Sequence, residues 1–488
     1  MSKGGTTMIK LKKIVWRKGW IIGCSVTIFC LILVPTIKPL QKTYLINMSQ
    51  EVGDERIMSI YGEQYELLEN IENKEINLGV LINIFLKQWA DRQENEELFE
   101  TLITELMKLA YISALSAAII KDNECVWSKG FGLYDRENNK TATEETIYLV
   151  ASISKTFTAT ALMQLYETGR FALDDDVNEY LPFNVRNPHY PDEPITFRML
   201  LAHQSSLAKD PPAVSYVYLP GDLEVTGYPY PFLRDYFVPG GIHYKPQIWT
   251  TMPPGTEMRY ANMGYALSGY LVETLSGNSF EDYCRENIFD PLGMNDTSFR
   301  FANVDLGKVA VPYVVEFGTY HPLLHYSILR SPAGGLRTSV ADLSRFLIAH
   351  MNGGLYNDVR ILKEETVDTM HTVQYSSKTY NFQYSLGWQI WKTLTGTHVG
   401  HTGGLAGVAT KMVFRQSDNT GIIFFTNKEI SNSMDMVIFS LIEQLLFWKA
   451  SGFNAAELHE TIIEDTTISN MHLLTERYIH CYDNIKIN

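Results

Sequence analysis

Two polar residues at the head of an apolar run, Ser152 and Lys155, restrict most strongly what this chain can fold into. The run covers residues 150–169, VASISKTFTATALMQLYETG, and its apolar positions Phe157 and Leu165 lie close to a helical period. Residues three apart share one face of a helix. The segment therefore predicts a buried helix whose first turn carries Ser152 and Lys155 side by side.

This pairing suits one kind of chemistry. A serine hydroxyl is a weak nucleophile at neutral pH and needs a basic group within hydrogen-bond reach. The amino end of a helix also presents unpaired N–H groups and a positive dipole, which favour developing negative charge. Ser152 and Lys155 therefore fit an acyl-transfer site. The same spacing also fits a helix N-cap followed by a solvent-facing lysine, so Ser-x-x-Lys alone does not decide between the two.

Two further short patterns follow along the chain. Tyr260-Ala-Asn262 stands just before an apolar helix, and His401-Thr402-Gly403 lies in a strand-like run. Each pattern occurs a second time, so each is weak by itself. The second copies lie at residues 482–484 and 398–400.

The order and surroundings of the three patterns resemble the penicillin-recognising serine hydrolases. This family includes class C β-lactamases, D-Ala-D-Ala carboxypeptidases, and related esterases and D-aminopeptidases, and its motifs are Ser-x-x-Lys, Tyr-x-Asn, and Lys-Thr-Gly or His-x-Gly. The resemblance covers roughly residues 100–450 and selects Tyr260 and His401 over the second copies, because their flanks match. Further matching segments are ITFRMLLAHQSSL, FDPLGMNDTSF and SPAGGLRTSVADLSRFLIAH.

The resemblance implies an α/β (α+β) fold of the β-lactamase and transpeptidase type. An antiparallel sheet would be flanked by helices and joined by a mainly helical subdomain. Carried over position by position, Ser152 would form an acyl-enzyme. Lys155 and Tyr260 would share its proton, with Tyr260 held near the phenolate form by cationic neighbours. Asn262 would bind the substrate's amide side chain and help to orient Lys155.

The third motif would line the cleft on a strand. The resemblance implies that His401 and Thr402 face the leaving side or a substrate carboxylate, with Gly403 beside them. The backbone N–H groups of Ser152 and Gly404 would form the oxyanion hole, at about 3 kcal/mol per donor. It implies no metal and no organic cofactor. Class C β-lactamases usually carry lysine in place of His401, so efficient antibiotic hydrolysis is not the first expectation.

The amino terminus predicts a membrane anchor. Residues 19–37 carry no charged side chain, and a helix needs about 20 apolar residues to cross a bilayer. Basic residues precede this segment and acidic ones begin only at Glu51, so the positive-inside rule keeps residues 1–18 in the cytoplasm and exports the rest. A cleaved signal peptide is the alternative, but no small-x-small site follows the apolar segment. We therefore expect a single-pass membrane protein with an extracytoplasmic catalytic domain.

The pattern of the chain changes near residue 100. LFETLITELMKLAY predicts a helix, ALSAAIIKDNECVWSKGFGLYD predicts two strands around the turn KDNE, and residues 435–452 predict a closing helix capped by Gly452. The predicted parts are a cytoplasmic segment (1–18), an anchor (19–37), an acidic spacer (38–99), a hydrolase domain (100–452) and a polar tail (453–488).

Charge and cysteine content exclude other classes of protein. A net charge of −14 gives no reason to expect a nucleic-acid partner. The cysteines outside the apolar segment, Cys125, Cys284 and Cys481, show neither a disulfide framework nor metal spacing. We expect a serine hydrolase, carboxypeptidase-like or esterase-like, that acts on a small peptide, amide or ester. The alternative is a catalytically weak scaffold, filament-forming or binding protein of the same fold, and the oligomeric state stays open.

Overall fold

The computed structural model describes residues 95–208, 218–221, 230–375, 382–393 and 396–451. The predicted cytoplasmic segment, the anchor at residues 19–37, most of the spacer and the tail lie outside these residues. Among the helices that are described, none is both long and apolar enough to cross a membrane.

The described strands come mainly from the two ends of the domain. They are β1 (Ala114–Lys121), β2 (Glu124–Asp135), β3 (Lys140–Thr141), β4 (Tyr148–Leu149), β5 (Tyr218–Pro220), β6 (Tyr313–Glu316), β7 (Thr319–Pro322), β8 (Tyr326–Ile328), β9 (Arg337–Thr338), β10 (Leu355–Tyr356), β11 (Val359–Arg360), β12 (Phe382–Tyr384), β13 (Gln389–Thr393), β14 (Gly396–Leu405), β15 (Val408–Arg415) and β16 (Thr420–Thr426).

The helices lie mostly between these two groups of strands. They are α1 (Asn95–Leu109), α2 (Ser154–Glu167), α3 (Phe197–Leu201), α4 (Tyr230–Phe237), α5 (Asn262–Ser276), α6 (Phe280–Cys284), α7 (Asp290–Leu292), α8 (Ser331–Gly334), α9 (Val340–Met351), α10 (Glu364–His371) and α11 (Ser433–Ala450).

One antiparallel sheet of eight strands forms the centre of the domain, in the order β12-β13-β14-β15-β16-β1-β2-β3. β1 pairs with β16 from Leu115 opposite Thr426 to Lys121 opposite Thr420, so the first and last long strands meet in its middle. Every residue of β16 is buried. Since successive side chains point to opposite faces, the strand is covered on both faces, and α9 and α11 both pack against β1 and β16.

Local predictions at the edges of the domain are confirmed. β1 and β2 form the predicted hairpin, and its turn residues Asp122 and Asn123 have φ angles of 49° and 66°, as a type I′ turn requires. α1 and α11 are the predicted first and last helices. α1 begins at Asn95, ahead of the predicted boundary at residue 100. The predicted cap Gly452 lies outside the described residues, and Ser451 follows the last turn of α11.

Three helices of the domain, α2, α5 and α8, pack against one another. α2 contacts both α5 and α8, and α8 also contacts α5. α2 is buried at Ser154 through Met163, which its weakly amphipathic sequence requires. This packing places the start of α2, the start of α5 and the short α8 next to one another. The first motif lies at the start of α2 and the second at the start of α5.

Candidate active site

Ser152 lies in a 3₁₀ turn, Ala151–Ile153, that leads directly into α2. Ala151 has φ 48°, a left-handed conformation that costs a non-glycine residue about 1–2 kcal/mol. Hydrogen bonds hold the turn in place: Ser154 Oγ donates to Ala151 O at 2.6 Å and accepts from Leu336 N at 3.0 Å. The turn presents Ser152 partly exposed at the head of an otherwise buried helix.

Lys155 lies one turn further along and is completely buried. Its Nζ donates to Ser152 Oγ at 3.0 Å and to the carbonyl oxygen of Ala333, in α8, at 2.6 Å. A buried ammonium is unfavourable unless its N–H groups find acceptors. Ala333 O thus stabilises the charge of Lys155 beside Ser152.

Tyr260 approaches the same oxygen atom from the loop before α5. Its hydroxyl donates to Ser152 Oγ at 2.8 Å, and Lys155 Nζ lies 4.8 Å from the centre of its ring. The structure therefore brings the three predicted catalytic side chains together at Ser152 Oγ. Asn262, the second motif's other residue, is the partly exposed first residue of α5. Its proposed contact with substrate stays a prediction.

His203 contacts both a side chain and the backbone of the second motif. Its ring packs against the ring of Tyr260 with centroids 4.4 Å apart, and its Nδ1 accepts from Ala261 N at 3.1 Å. Burial, and then the charges of Lys155 and His401, lower the pKa of His203 well below 6.5. The imidazole is therefore neutral and holds the backbone of the second motif in place.

The third motif lies on β14, against the 3₁₀ turn Ala151–Ile153 that carries Ser152. A Cβ atom at Gly403 would lie 2.3 Å from Val150 O and 3.1 Å from Ala151 Cβ, so only glycine permits this approach. Gly404 is the next residue of β14. The two predicted oxyanion donors, the N–H groups of Ser152 and Gly404, thus belong to segments in direct contact.

His401 is completely buried on β14. Its Nδ1 lies 2.6 Å from Thr402 O, and because a carbonyl only accepts, the ring proton is on Nδ1. Nε2 then accepts from the Tyr384 hydroxyl at 3.0 Å. Burial, followed by the charge of Lys155, lowers the pKa of His401 to about 3. The side chain is therefore neutral at physiological pH.

Two residues that the sequence analysis missed, Tyr384 and Gln389, complete this arrangement from β12 and β13. Gln389 Nε2 donates to the Tyr384 hydroxyl at 2.7 Å, while its Oε1 accepts from Thr402 N at 3.1 Å and Thr402 Oγ1 at 3.3 Å. The available signal was a glutamine within the apolar run SLGWQI. Within the described part of the chain, no cluster of three or more His, Cys, Asp or Glu side chains could hold a metal ion.

Comparisons with known proteins cover most of this domain. Residues 99–446 match the family model described as Beta-lactamase. Protein flp of Staphylococcus aureus (strain NCTC 8325 / PS 47) is 26% identical over 262 residues, 53% of this chain and 49% of that protein. The chain thus spans about half the length of that relative. The putative penicillin-binding protein PbpX of Bacillus subtilis (strain 168) is 27% identical over 334 residues, 67% of this chain and 75% of that protein.

Solved structures agree with the fold. The octameric penicillin-binding protein homologue from Pyrococcus abyssi is 27% identical with a TM-score of 0.59, over 74% of this chain and 78% of that chain. A class C beta-lactamase from Rhodobacter sphaeroides, 18% identical with a TM-score of 0.57 over 72% of this chain and 99% of that chain, shows the fold alone. The predicted antiparallel sheet flanked by helices, of the β-lactamase and transpeptidase type, is confirmed. The chain belongs to the family of serine β-lactamases and penicillin-binding proteins.

Proposed function

We propose that this protein is a membrane-anchored, extracytoplasmic serine hydrolase that cleaves a peptide, amide or ester bond through an acyl-enzyme on Ser152. The observation that carries the proposal is the meeting of Lys155 Nζ and the Tyr260 hydroxyl on Ser152 Oγ, at 3.0 and 2.8 Å. A nucleophile and its base must lie within about 2.6–3.2 Å, and both distances fall in this range.

The two neighbours of Ser152 define how its proton moves. Lys155 and Tyr260 both direct a hydrogen at Ser152 Oγ, so one proton must leave this pair before it acts as a base. As Oγ then bonds to the substrate's carbonyl carbon, the Ser152 proton passes to the pair. The same proton is delivered to the leaving nitrogen or oxygen as its bond to carbon breaks. Water then repeats the sequence and releases the acid and free Ser152.

The charge that develops on the carbonyl oxygen needs its own donors. The backbone N–H groups of Ser152 and Gly404 are the proposed pair, and each such donor is worth about 3 kcal/mol in acyl transfer. The proposal is supported by the close contact of β14 with Val150 and Ala151. This contact is possible because glycine, at position 403, has no side chain.

Labelling with a fluorophosphonate tests the acyl-transfer role, because this reagent reacts with an activated serine hydroxyl. We expect one label per wild-type chain, located on Ser152 by peptide mass spectrometry, and none in Ser152→Ala. Ser268→Ala is the control, because it removes a buried hydroxyl that donates to Gly264 O within α5, away from the turn that carries Ser152, and it should still be labelled. A folded wild-type protein that takes no label would favour the scaffold function instead.

The proposed anchor is residues 19–37, outside the described part of the structure. It is supported by the charge-free apolar segment and the basic residues before it. We expect the full-length chain to stay in the membrane pellet after an alkaline carbonate wash, and a chain that starts at residue 38 to be recovered in the supernatant. If expression of the full-length chain instead gave a product in the supernatant whose amino terminus follows residue 37, a cleaved signal peptide would be indicated.

A further inference from the structure

A closed ring of hydrogen bonds joins the side chains of Tyr384, Gln389 and His401 to Thr402. Gln389 Nε2 donates to the Tyr384 hydroxyl oxygen, and Tyr384 donates to His401 Nε2. His401 Nδ1 donates to Thr402 O, and Thr402 returns its N–H and O–H to Gln389 Oε1. Each orientation fixes the next, because a reversed Gln389 amide would set its NH₂ group against Thr402 N–H.

The ring is mostly inside the protein. Tyr384, Gln389 and His401 are 4%, 3% and 0% exposed, whereas Thr402 is partly exposed. A buried polar group that loses its partner is unfavourable, so the hydrogens in this ring are not readily diverted to a ligand. Thr402 is the member that can meet a substrate, and its hydroxyl oxygen keeps acceptor capacity while its hydrogen stays on Gln389.

A substrate carboxylate would need hydrogen-bond donors at this position, whereas Thr402 offers an acceptor. A carboxylate only accepts hydrogen bonds, and it binds best to charged donors. His401 has no donor left for it, because its one ring proton is on Thr402 O. Protonation would add a donor and a charge, but burial and Lys155 keep the pKa of His401 at about 3. Thr402 Oγ1 likewise directs its hydrogen to Gln389.

We infer that the third motif selects substrates whose leaving side is uncharged or carries an N–H donor, and disfavours substrates with a carboxylate at this position. The inference rests on the proposed function, since it assigns the substrate class of the Ser152 hydrolase. Tyr384 and Gln389 are positioning residues, because they act through His401 and Thr402. Thr402 Oγ1 is the acceptor for the substrate's N–H group.

Two aryl esters that share one acyl group test the inference. One has 3-hydroxybenzoate as its leaving group and the other 3-hydroxybenzamide, so they differ only in a carboxylate against a carboxamide. With the full-length protein in detergent, we expect kcat/KM to be about tenfold higher for the carboxamide ester, after correction for the uncatalysed rates. Equal values, or a preference for the carboxylate ester, would overturn the inference.

Substitution of Gln389 tests whether the ring sets this preference. Gln389→Met keeps the length of the side chain and frees the Thr402 hydroxyl, so the ratio of the two kcat/KM values should fall towards one. A purely structural defect would lower both values equally and leave the ratio unchanged, which would overturn the assigned role of Gln389. Gln383→Met is the control on the neighbouring strand and should keep the wild-type ratio. Thr402→Ser, which retains the hydroxyl, should also keep it.

Fluorophosphonate labelling of the same preparation distinguishes a failure of the inference from a failure of the proposed function. A protein that takes the fluorophosphonate on Ser152 but prefers the carboxylate ester keeps the proposed function and overturns the inference. A folded protein that takes no label and hydrolyses neither ester overturns the proposed function, and the inference falls with it.

Discussion

Replacement of Gly403 by alanine should slow acylation of Ser152 by about 10²-fold while it lowers the Tm of the domain by only a few degrees. The new Cβ would lie 2.3 Å from both Val150 O and Thr410 Oγ1, where real Cβ contacts stay above 3.0 Å. The backbone φ of Gly403 is one that alanine tolerates, so the contact alone decides the outcome. β14 must move away from Val150, which leads into the turn that carries Ser152, by about 0.7 Å for this contact to reach 3.0 Å.

Two magnitudes follow from this displacement. Overpacking of an interior costs about 1–3 kcal/mol, which lowers the Tm of a large domain by a few degrees. A misplacement of about 1 Å in a reacting group costs about 10²-fold in rate. Gly403 is in close contact with Val150 and directly precedes the predicted oxyanion donor Gly404 in the sequence, so its displacement would move both. The rate constant of fluorophosphonate labelling, measured beside the Tm, gives both quantities.

Gly264→Ala provides the control for this experiment. In α5, its Cβ would meet Leu207 Cδ1 at 3.6 Å and Leu200 Cδ2 at 3.7 Å, which are ordinary van der Waals contacts with neighbouring side chains. We expect the labelling rate of this variant to stay close to that of the wild type. If Gly403→Ala were labelled as fast as Gly264→Ala, the close approach of β14 would not be what aligns Ser152.

Three further substitutions or conditions test the site. Lys155→Met should reduce the labelling rate of Ser152 by about 10²–10⁴-fold at unchanged far-UV circular dichroism, because the variant removes the proton carrier. Tyr260→Phe removes the hydroxyl 2.8 Å from Ser152 Oγ and should slow labelling by about 10²-fold at unchanged far-UV circular dichroism. Acidification from pH 7 to 5 should lower the stability, because burial keeps the pKa of His401 at about 3 in the folded protein against about 6.5 in the unfolded chain. The unfolded chain therefore binds the proton first, and stability is lost below about pH 6.5, by about 2 kcal/mol at pH 5 from His401 alone. His203, whose pKa is also lowered by burial, adds to the loss, and a Tm that is flat from pH 7 to 5 would contradict the neutral state of both rings.

Local signals in the sequence were sufficient for several parts of the fold. The β1–β2 hairpin was predictable because Asp122 and Asn123 tolerate positive φ angles, and both adopt them. The helix that follows Ser152 was predictable because its apolar period spans several turns. In both cases, the residues that decide the structure are neighbours in sequence.

Ser206 shows how tertiary contacts modify such a local rule. Ser206 adopts φ 63°, a left-handed conformation that costs a non-glycine residue about 1–2 kcal/mol. Its Oγ donates to Met252 O at 2.9 Å and accepts from Asn187 Nδ2, and these bonds offset the strain. The sequence did not indicate this conformation, because the compensating partners lie far along the chain.

The same limit applies to Lys155. The Ser-x-x-Lys spacing predicted that Lys155 lies beside Ser152, since three residues make about one helical turn. It did not predict the acceptor Ala333 O, which is 178 residues away and belongs to the backbone. A backbone carbonyl carries no sign of its role in the sequence, because every residue has one.

Chemistry and substrate preference therefore depend on different kinds of information. The meeting of Ser152, Lys155 and Tyr260 was predictable because their motifs occur in the order and surroundings typical of the family. His401 and Thr402 were compatible with either a substrate carboxylate or an uncharged leaving group, because each can donate or accept hydrogen bonds. The choice between the two depends on where their hydrogens point, and this is set by side chains on β12 and β13 that belong to no motif. Relatives with the same three motifs but without these two partners should therefore share the chemistry of this protein and differ in the substrates they accept.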